Sequence, residues 1–314
     1  MINLIIELSA VVLCVEQTRP KFLGLSPEPR RIALPSGPFD PGTDRTLERA
    51  VRGWVQTQTG FPLGHVEQLY TFGDQNREIM ASSPEDMSQE ARIISVGYLA
   101  LTPKAAKVEA GFEAEWYDWY AHFPWEDHRK GPPALIAKEI APRLLSWADG
   151  DPAHLERARL AFGLDGRAWI EERVLERYEL LYEARLVCEA WRDEGSAPEY
   201  VLPGLSMVSD HRRILATAIS RLRGKLKYRP VLFDLIENEF TLSALQKRAE
   251  AILGLPLHKQ NFRRALDKSG LVKGTGKLES STGGRPAELY TFRHELLKQQ
   301  IVMGVATPAR RLSD

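Results

Sequence analysis

The 314 residues predict an α+β chain in successive parts, and three observations carry that prediction. Residues 1–104 alternate β-rich runs with turn clusters, and from about 132 to 192 Ala, Leu, Glu and Arg dominate. Residues 221–295 then present a polar-started helix, a basic helix and a glycine-rich hairpin, in that order. A chain of this length fits two or three compact domains. An apolar share of 43% supports real cores, and 27% charged residues point to a soluble protein. The parts expected are residues 1–130, a helical segment 131–220, a module at 221–295 and a tail at 296–314.

The run to Val15 is too short to span a bilayer, contains Glu7 and lacks a signal peptide's basic start and cleavage site, so it reads as a buried strand from Leu4. Lys21 to Leu25 forms a second strand, and Pro27, Pro29, Pro35, Pro38 and Pro41 break the next stretch into loops. Thr43 or Asp44 is expected to cap a helix from about Arg45 to Thr59, which Gly60 stops. Leu47, Val51, Trp54 and Val55 follow helical spacing and would face a sheet. Val66 to Thr71 and Ile93 to Leu101 supply further strands, giving a mixed α/β sandwich. In the middle segment, Ile170, Val174, Leu175, Tyr178, Leu181 and Tyr182 form an amphipathic stripe on a helix over 168–185, suited to a bundle or a dimer contact. The aromatic run from Trp116 to Trp125 is a second candidate interface. His211 to Lys227 starts the helix that leads into the last part. Cys14 and Cys188 show no metal-ligand or CxxC spacing, which fits a reducing cytoplasm.

The formal net charge of zero hides an asymmetry. Residues 221–314 carry 18 Lys+Arg against 9 Asp+Glu, leaving 24 against 33 in residues 1–220. A basic module on an acidic body points to a polyanion met by one part only. Within that module, Val231, Leu232, Leu235 and Ile236 supply one apolar helix face, Leu242, Leu245, Ala249 and Ile252 a second, and Phe262, Leu266 and Leu271 a third. Gly254, Leu255 and Pro256 make the short turn between the last two helices. This is the order of a winged helix-turn-helix. Removing core positions from the third helix leaves Lys259, Gln260, Asn261, Arg263, Arg264 and Lys268 to meet DNA: Arg pairs with guanine edges, Gln and Asn with adenine, Lys with phosphate. Thr241 and Ser243 at the second helix start, Lys277 on the wing and Arg285 near its tip complete the candidate contacts. A solvated charged face or a protein-contact module is the bland alternative. A basic third helix, a polar second-helix start and an arginine-bearing wing in one order favour double-stranded operator DNA.

Leu34 to Phe39, the helix Leu47 to Phe61, and Glu67 to Asp74 together resemble the Nudix domain, whose box runs G-x5-E-x7-R-E-U-x-E-E-x-G-U. Aligned on Gly60 and Phe61, Gly53 falls at the box arginine and Trp54, Thr57 and Gln58 at its clustered glutamates. The expectation is that the metal site is absent and that no residue is catalytic, because Mg²⁺ needs several hard oxygen ligands and this helix offers only Glu48 among arginines. With Tyr70 to Asp74, Ile93 to Leu101, Arg223 to Tyr228 and Asn261 to Arg264, the chain resembles the NrtR-like, Nudix-related transcriptional regulators of NAD metabolism. The lost box and the long helical insert fit their NadQ-type branch. That resemblance implies a Nudix-like α/β/α sandwich, a helical middle and a C-terminal winged helix, in a cytoplasmic homodimeric repressor of NAD biosynthesis genes. It further implies a nucleotide effector, NAD or ATP before ADP-ribose. A nucleotide needs aromatic faces for its base and cations for its phosphates. The candidates are Phe72, Tyr98 and Trp116 for stacking, with Arg30, Arg31, Arg77 and Arg92 for phosphate. The competing reading is a Nudix-type pyrophosphohydrolase acting on ADP-ribose or a related dinucleotide.

Overall fold

The computed structural model describes residues 3–28, 31–74, 77, 91–103, 105, 114–228, 231–279 and 286–293. Strands β1 (Asn3–Glu16), β2 (Arg19–Glu28), β3 (Arg31–Ala33), β4 (Ser36–Pro38), β5 (Val66–Phe72), β6 (Ala91–Leu101) and β7 (Ala114–Asp118) form one mixed sheet. Its order is β3-β2-β1-β6-β5, with β4 on β1 and β7 on β2, so β5 ends the path. β1 and β6 run parallel, with Leu8 opposite Val96 and Leu13 opposite Leu101. Period-two alternation splits β1 between two cores. Leu8, Ala10 and Val12 pack with Ala50, Val51 and Val55 of helix α1 (Leu47–Thr59), whereas Val11, Leu13 and Val15 face the helices on the other side. The expected α/β/α sandwich is therefore present.

Gly60 does stop α1, at φ 67°, but its cap is Thr46, which accepts from Arg49 N, and not Thr43 or Asp44. Those two residues are engaged in a preceding turn: Thr43 Oγ1 donates to Asp40, and Asp44 accepts from Asp40 N.

Beyond β7 come α2 (Trp119–His122), a 3₁₀ turn at Pro124–Glu126, a π-helical segment at Ile136–Ile140, α3 (Ala141–Ala148), α4 (Pro152–Phe162), α5 (Val174–Glu183), α6 (Cys188–Asp193) and α7 (His211–Tyr228). The stripe expected over 168–185 is helical only in α5. Before it, the fully buried Arg177 donates to the carbonyls of Ala161 and Ile170, holding the chain in turns, and Asp165 and Gly166 adopt positive φ. Val174, Tyr178 and Leu181 pack into the chain's own core with Ile214 and Leu215 of α7 and are no surface for a second copy. Trp119, Phe123 and Trp125 are fully buried in that core as well, which overturns the interface reading for them. They fill the volume between sheet and helices.

The C-terminal part contains a 3₁₀ turn at Val231–Leu235, β8 (Phe240–Thr241), α8 (Leu242–Leu253), α9 (Lys259–Ser269), β9 (Val272–Glu279) and β10 (Ala287–Phe292). Its sheet order is β8-β10-β9. The first α-helix expected from Val231 is a five-residue 3₁₀ turn, and Leu222 and Leu226 of α7 supply apolar surface beside it. One hydrophobic cluster runs from Val11 in the sheet to Phe292 in the wing, so the module shares the body's core.

Candidate nucleic-acid interface

On α9 the sequence repeats apolar positions once per turn, and Phe262 and Leu266 are buried. The polar positions around them are left outward: Lys259, Gln260, Asn261, Arg263, Arg264 and Lys268 are all exposed. Among the described residues none of its four cations forms an ion pair, in contrast to the arginines of the body. His258 at the N-cap offers no side-chain bond, which leaves the first amides of α9 to solvent or an anion. Ser243 is exposed in the first turn of α8. Thr241 differs from the expectation: it is buried, and its hydroxyl accepts from Ala244 N at 3.1 Å, so it caps α8 where a phosphate donor was expected. Lys277 lies on β9, with its ammonium 2.7 Å from Glu239, so a phosphate there competes with a carboxylate. Arg285 lies outside the described residues. Lys273, exposed on β9 and absent from the sequence-derived set, adds a wing cation that only strand alternation could have pointed to.

The module is locked to the body at the C-terminus of α8. Arg223 Nε of α7 donates to Ile252 O at 2.8 Å, Tyr120 OH to Ala251 O at 2.8 Å, and His128 N to Gly254 O at 2.7 Å. Gly254 has φ 70°, and a Cβ there would meet Glu126 O, so glycine is required by conformation and by space. Glu126 itself is held by Arg177 and Arg223. Burial raises a carboxyl, but the two guanidiniums outweigh it and hold Glu126 below the usual carboxylate range.

The residues expected to read a nucleotide do not converge. Phe72 is buried at the edge strand, on the side of α7. Tyr98 belongs to the opposite core under α1, and Trp116 sits edge-on to Phe61 at 6.0 Å against that same core. Arg77 is buried between Glu7, at 2.7 Å, and Asp210, so its charge is spent within the fold and is not offered to phosphate. Arg92 donates to Gly73 O, and Arg31 is half-buried on β3. Arg30 lies outside the described residues. Alternate strand positions face opposite layers, so Phe72 and Tyr98, on neighbouring strands, separate here.

Two of the box positions, Trp54 and Gln58, make neutral structural contacts. Trp54 Nε1 donates to Pro38 O at 2.9 Å, and its indole covers Gly37, where a Cβ would collide with the ring. Gln58 accepts from Ser36 N at 3.0 Å and donates to Ser36 O at 2.7 Å. An indole and an amide already tied to backbone are poor donors for Mg²⁺.

Residues 232–292 match the family model described as the NrtR DNA-binding winged helix domain. The module is thus similar to NrtR-type winged helix domains. Over the whole chain the fold is that of Shewanella oneidensis NrtR: its crystal structure complexed with a 27mer DNA superposes with a TM-score of 0.54 at 19% identity, covering 93% of this chain and 95% of that one. A MutT/nudix family protein from Enterococcus faecalis superposes at 0.50 with 15% identity, covering 93% and 87%. In sequence, the ADPR responsive transcriptional repressor NtrR of Acinetobacter baylyi is 40% identical over 88 residues, 28% of this chain. The matched stretch spans 35% of that relative's length. The kinship with NrtR-like, Nudix-related regulators read from the sequence is borne out, as is the order of Nudix-like sandwich and NrtR-type winged helix.

Proposed function

We propose that this chain is a nucleotide-responsive transcriptional repressor acting as a homodimer, with residues 1–130 as a Nudix-like sensor, 131–220 as the helical segment and 221–295 as the DNA-binding module. The observation that carries the reading is the exposed cation row Lys259, Arg263, Arg264 and Lys268, without an ion pair among the described residues, on the third helix of a domain that matches the NrtR winged helix. Repression and nucleotide response rest on the relative named as an ADPR responsive transcriptional repressor. Its name puts ADP-ribose ahead of the NAD or ATP expected from the sequence. NAD biosynthesis genes remain the proposed targets on the resemblance alone. Trp54, Thr57 and Gln58 at the box glutamate positions, with Trp54 and Gln58 bound to backbone carbonyls and amides, support binding without turnover.

The mechanism is linkage. A nucleotide that prefers one arrangement of the paired bodies changes the spacing of two recognition helices that must reach half-sites about one helical turn apart. Arg264→Ala should weaken operator binding roughly tenfold or more, the size of one lost two-pronged base contact. Affinity should also fall steeply with salt as phosphate contacts release counterions. Fluorescence anisotropy with a labelled promoter fragment measures both, and equal affinity in Arg264→Ala counts against α9 as the reader. Magnesium-dependent hydrolysis of ADP-ribose would instead establish the pyrophosphohydrolase.

A further inference from the structure

Between the edge strand β5 and helices α5 and α7 lies an open groove of about 740 Å³. Nothing in the sandwich's box region contributes to it. From β5 it takes Tyr70 and Phe72, whose rings meet edge to face at 5.7 Å. Phe72 is buried, but Tyr70 is 66% exposed, an aromatic face presented to solvent at the groove wall. Gly97 on the neighbouring strand makes room for this wall, since a Cβ there would lie 3.0 Å from the Phe72 ring and 3.5 Å from Ile214 of α7.

The opposite wall is one face of α7. Arg213, Thr217, Arg221 and Lys225 recur every four residues, which places them in one row about 18 Å long. The row is polarised. At its start Arg213 is held between Glu179 and Asp74, leaving two carboxylates around one cation. At its far end Arg221 is exposed and has no ion pair among the described residues, next to Lys225 on Glu67. Ser220 Oγ accepts from Leu175 N at 2.9 Å, so its hydroxyl proton remains to be donated. Carboxylates accept from sugar hydroxyls, an exposed ring stacks with a flat base, and an unpaired guanidinium takes a phosphate.

We infer that this groove is the effector site and that its ligand is a nucleotide: base against Tyr70 and Phe72, sugar hydroxyls toward Glu179, phosphate at Arg221. The inference rests on the nucleotide-responsive reading above and extends its sensor beyond residues 1–130 to α5 and α7. It also gives the response a route. Arg223, two residues beyond Arg221 on the same helix, donates to Ile252 O of α8 at 2.8 Å, so a ligand that shifts α7 acts directly on the DNA-binding module.

The test is calorimetric titration of the full chain with ADP-ribose, NAD and ATP, on wild type, Tyr70→Ala, Tyr70→Phe and Arg221→Glu. Both mutated side chains are exposed, and circular dichroism checks that each variant folds. Tyr70→Ala and Arg221→Glu should each weaken the nucleotide that wild type binds by about tenfold, the scale of one lost base stack or charge-assisted phosphate contact. Tyr70→Phe, which keeps the ring, should stay within about twofold on the same reasoning. Unchanged affinity in Tyr70→Ala and Arg221→Glu overturns the groove while leaving the nucleotide reading intact. With Trp116→Ala and Arg92→Ala titrated alongside, loss of affinity confined to either of them would move the site to the opposite face and overturn the groove in the same way. If wild type binds none of the three nucleotides, the response itself fails and the groove with it. Should light scattering show that Tyr70→Ala and Arg221→Glu halve the assembly's mass at unchanged nucleotide affinity, the groove is a contact between copies and the proposal falls.

Discussion

Glu126→Gln removes one charge and almost no volume from the point where body, helical segment and DNA-binding module meet. Both carboxylate oxygens are in use: Oε1 accepts from Arg177 Nε at 2.5 Å, while Oε2 accepts from Arg177 Nη2 at 2.9 Å and Arg223 Nη1 at 2.5 Å. None of the three side chains is more than 1% exposed. An amide there leaves two guanidiniums in a closed interior without a counter-charge, and its own N–H₂ must face a donor. Removing one partner of a buried pair costs about 3–5 kcal/mol. With an unfolding entropy of about 2 cal/mol/K per residue, a loss of about 4 kcal/mol spread over the 314 residues lowers the Tm by roughly 6 °C. Thermal and urea unfolding, followed by circular dichroism, measure this. Operator affinity should weaken too, because Arg223 also donates to Ile252 O in α8. A fall below about 1 kcal/mol, the scale of a surface ion pair, would refute the argument that this junction is closed to water.

His122 and His211 are buried, and both titrate well below the ordinary histidine value of 6.5, down to about 3. Burial is the main cause for each, with nearby Arg212 and Arg77 adding to it. Since a lowered folded-state pKa means that the unfolded chain binds protons first, stability is full above the unfolded value of 6.5 and falls with pH toward 3. At pH 5 each ring contributes a loss of about 2 kcal/mol. Glu7 and Asp210, raised chiefly by burial, act in the opposite sense at acid pH, so ring titration by NMR is the cleaner check. Either imidazole titrating near 6.5 contradicts its burial and, for His211, the bond that its Nδ1 accepts from Leu34 N. Gln58→Ala should lower the urea midpoint by an amount worth about 1–3 kcal/mol, because Ser36 loses partners for both its N–H and its carbonyl; an unchanged midpoint would mean that α1 does not hold β4. Gly37→Ala should cost a similar amount, about 1–3 kcal/mol, by forcing a methyl into the Trp54 indole. Wild-type stability in that variant would place the indole elsewhere.

Much of the fold was legible because its signals are local. β1 announces itself by a largely apolar run from Leu4 to Val15, Gly60, Gly254 and Gly270 end helices in the left-handed region, and Phe262 and Leu266 mark one turn of α9. The outward set on α9 was legible for the same reason: once its core positions are known, what remains is exposed. The surroundings of the residues expected to meet a nucleotide were not. Tyr98 and Phe72 are both aromatic residues on strands, but they face opposite layers of the sheet, and Arg77 resembles any loop arginine until Glu7 and Asp210 close on it.

The sequence by itself determined the order of parts, the sandwich, the NrtR-type module and the basic face of α9, since periodicity, caps and charge runs are properties of neighbouring residues. Tertiary structure decided which cations are free to act. Arg177, Arg212 and Arg223 look no different from Arg263 and Arg264 in composition or spacing, yet the first three are buried on Glu126 and Glu189, carboxylates 51, 23 and 97 residues away. A charge is available for DNA or a nucleotide only where no such distant partner reaches it, and that is settled by how the chain folds back on itself.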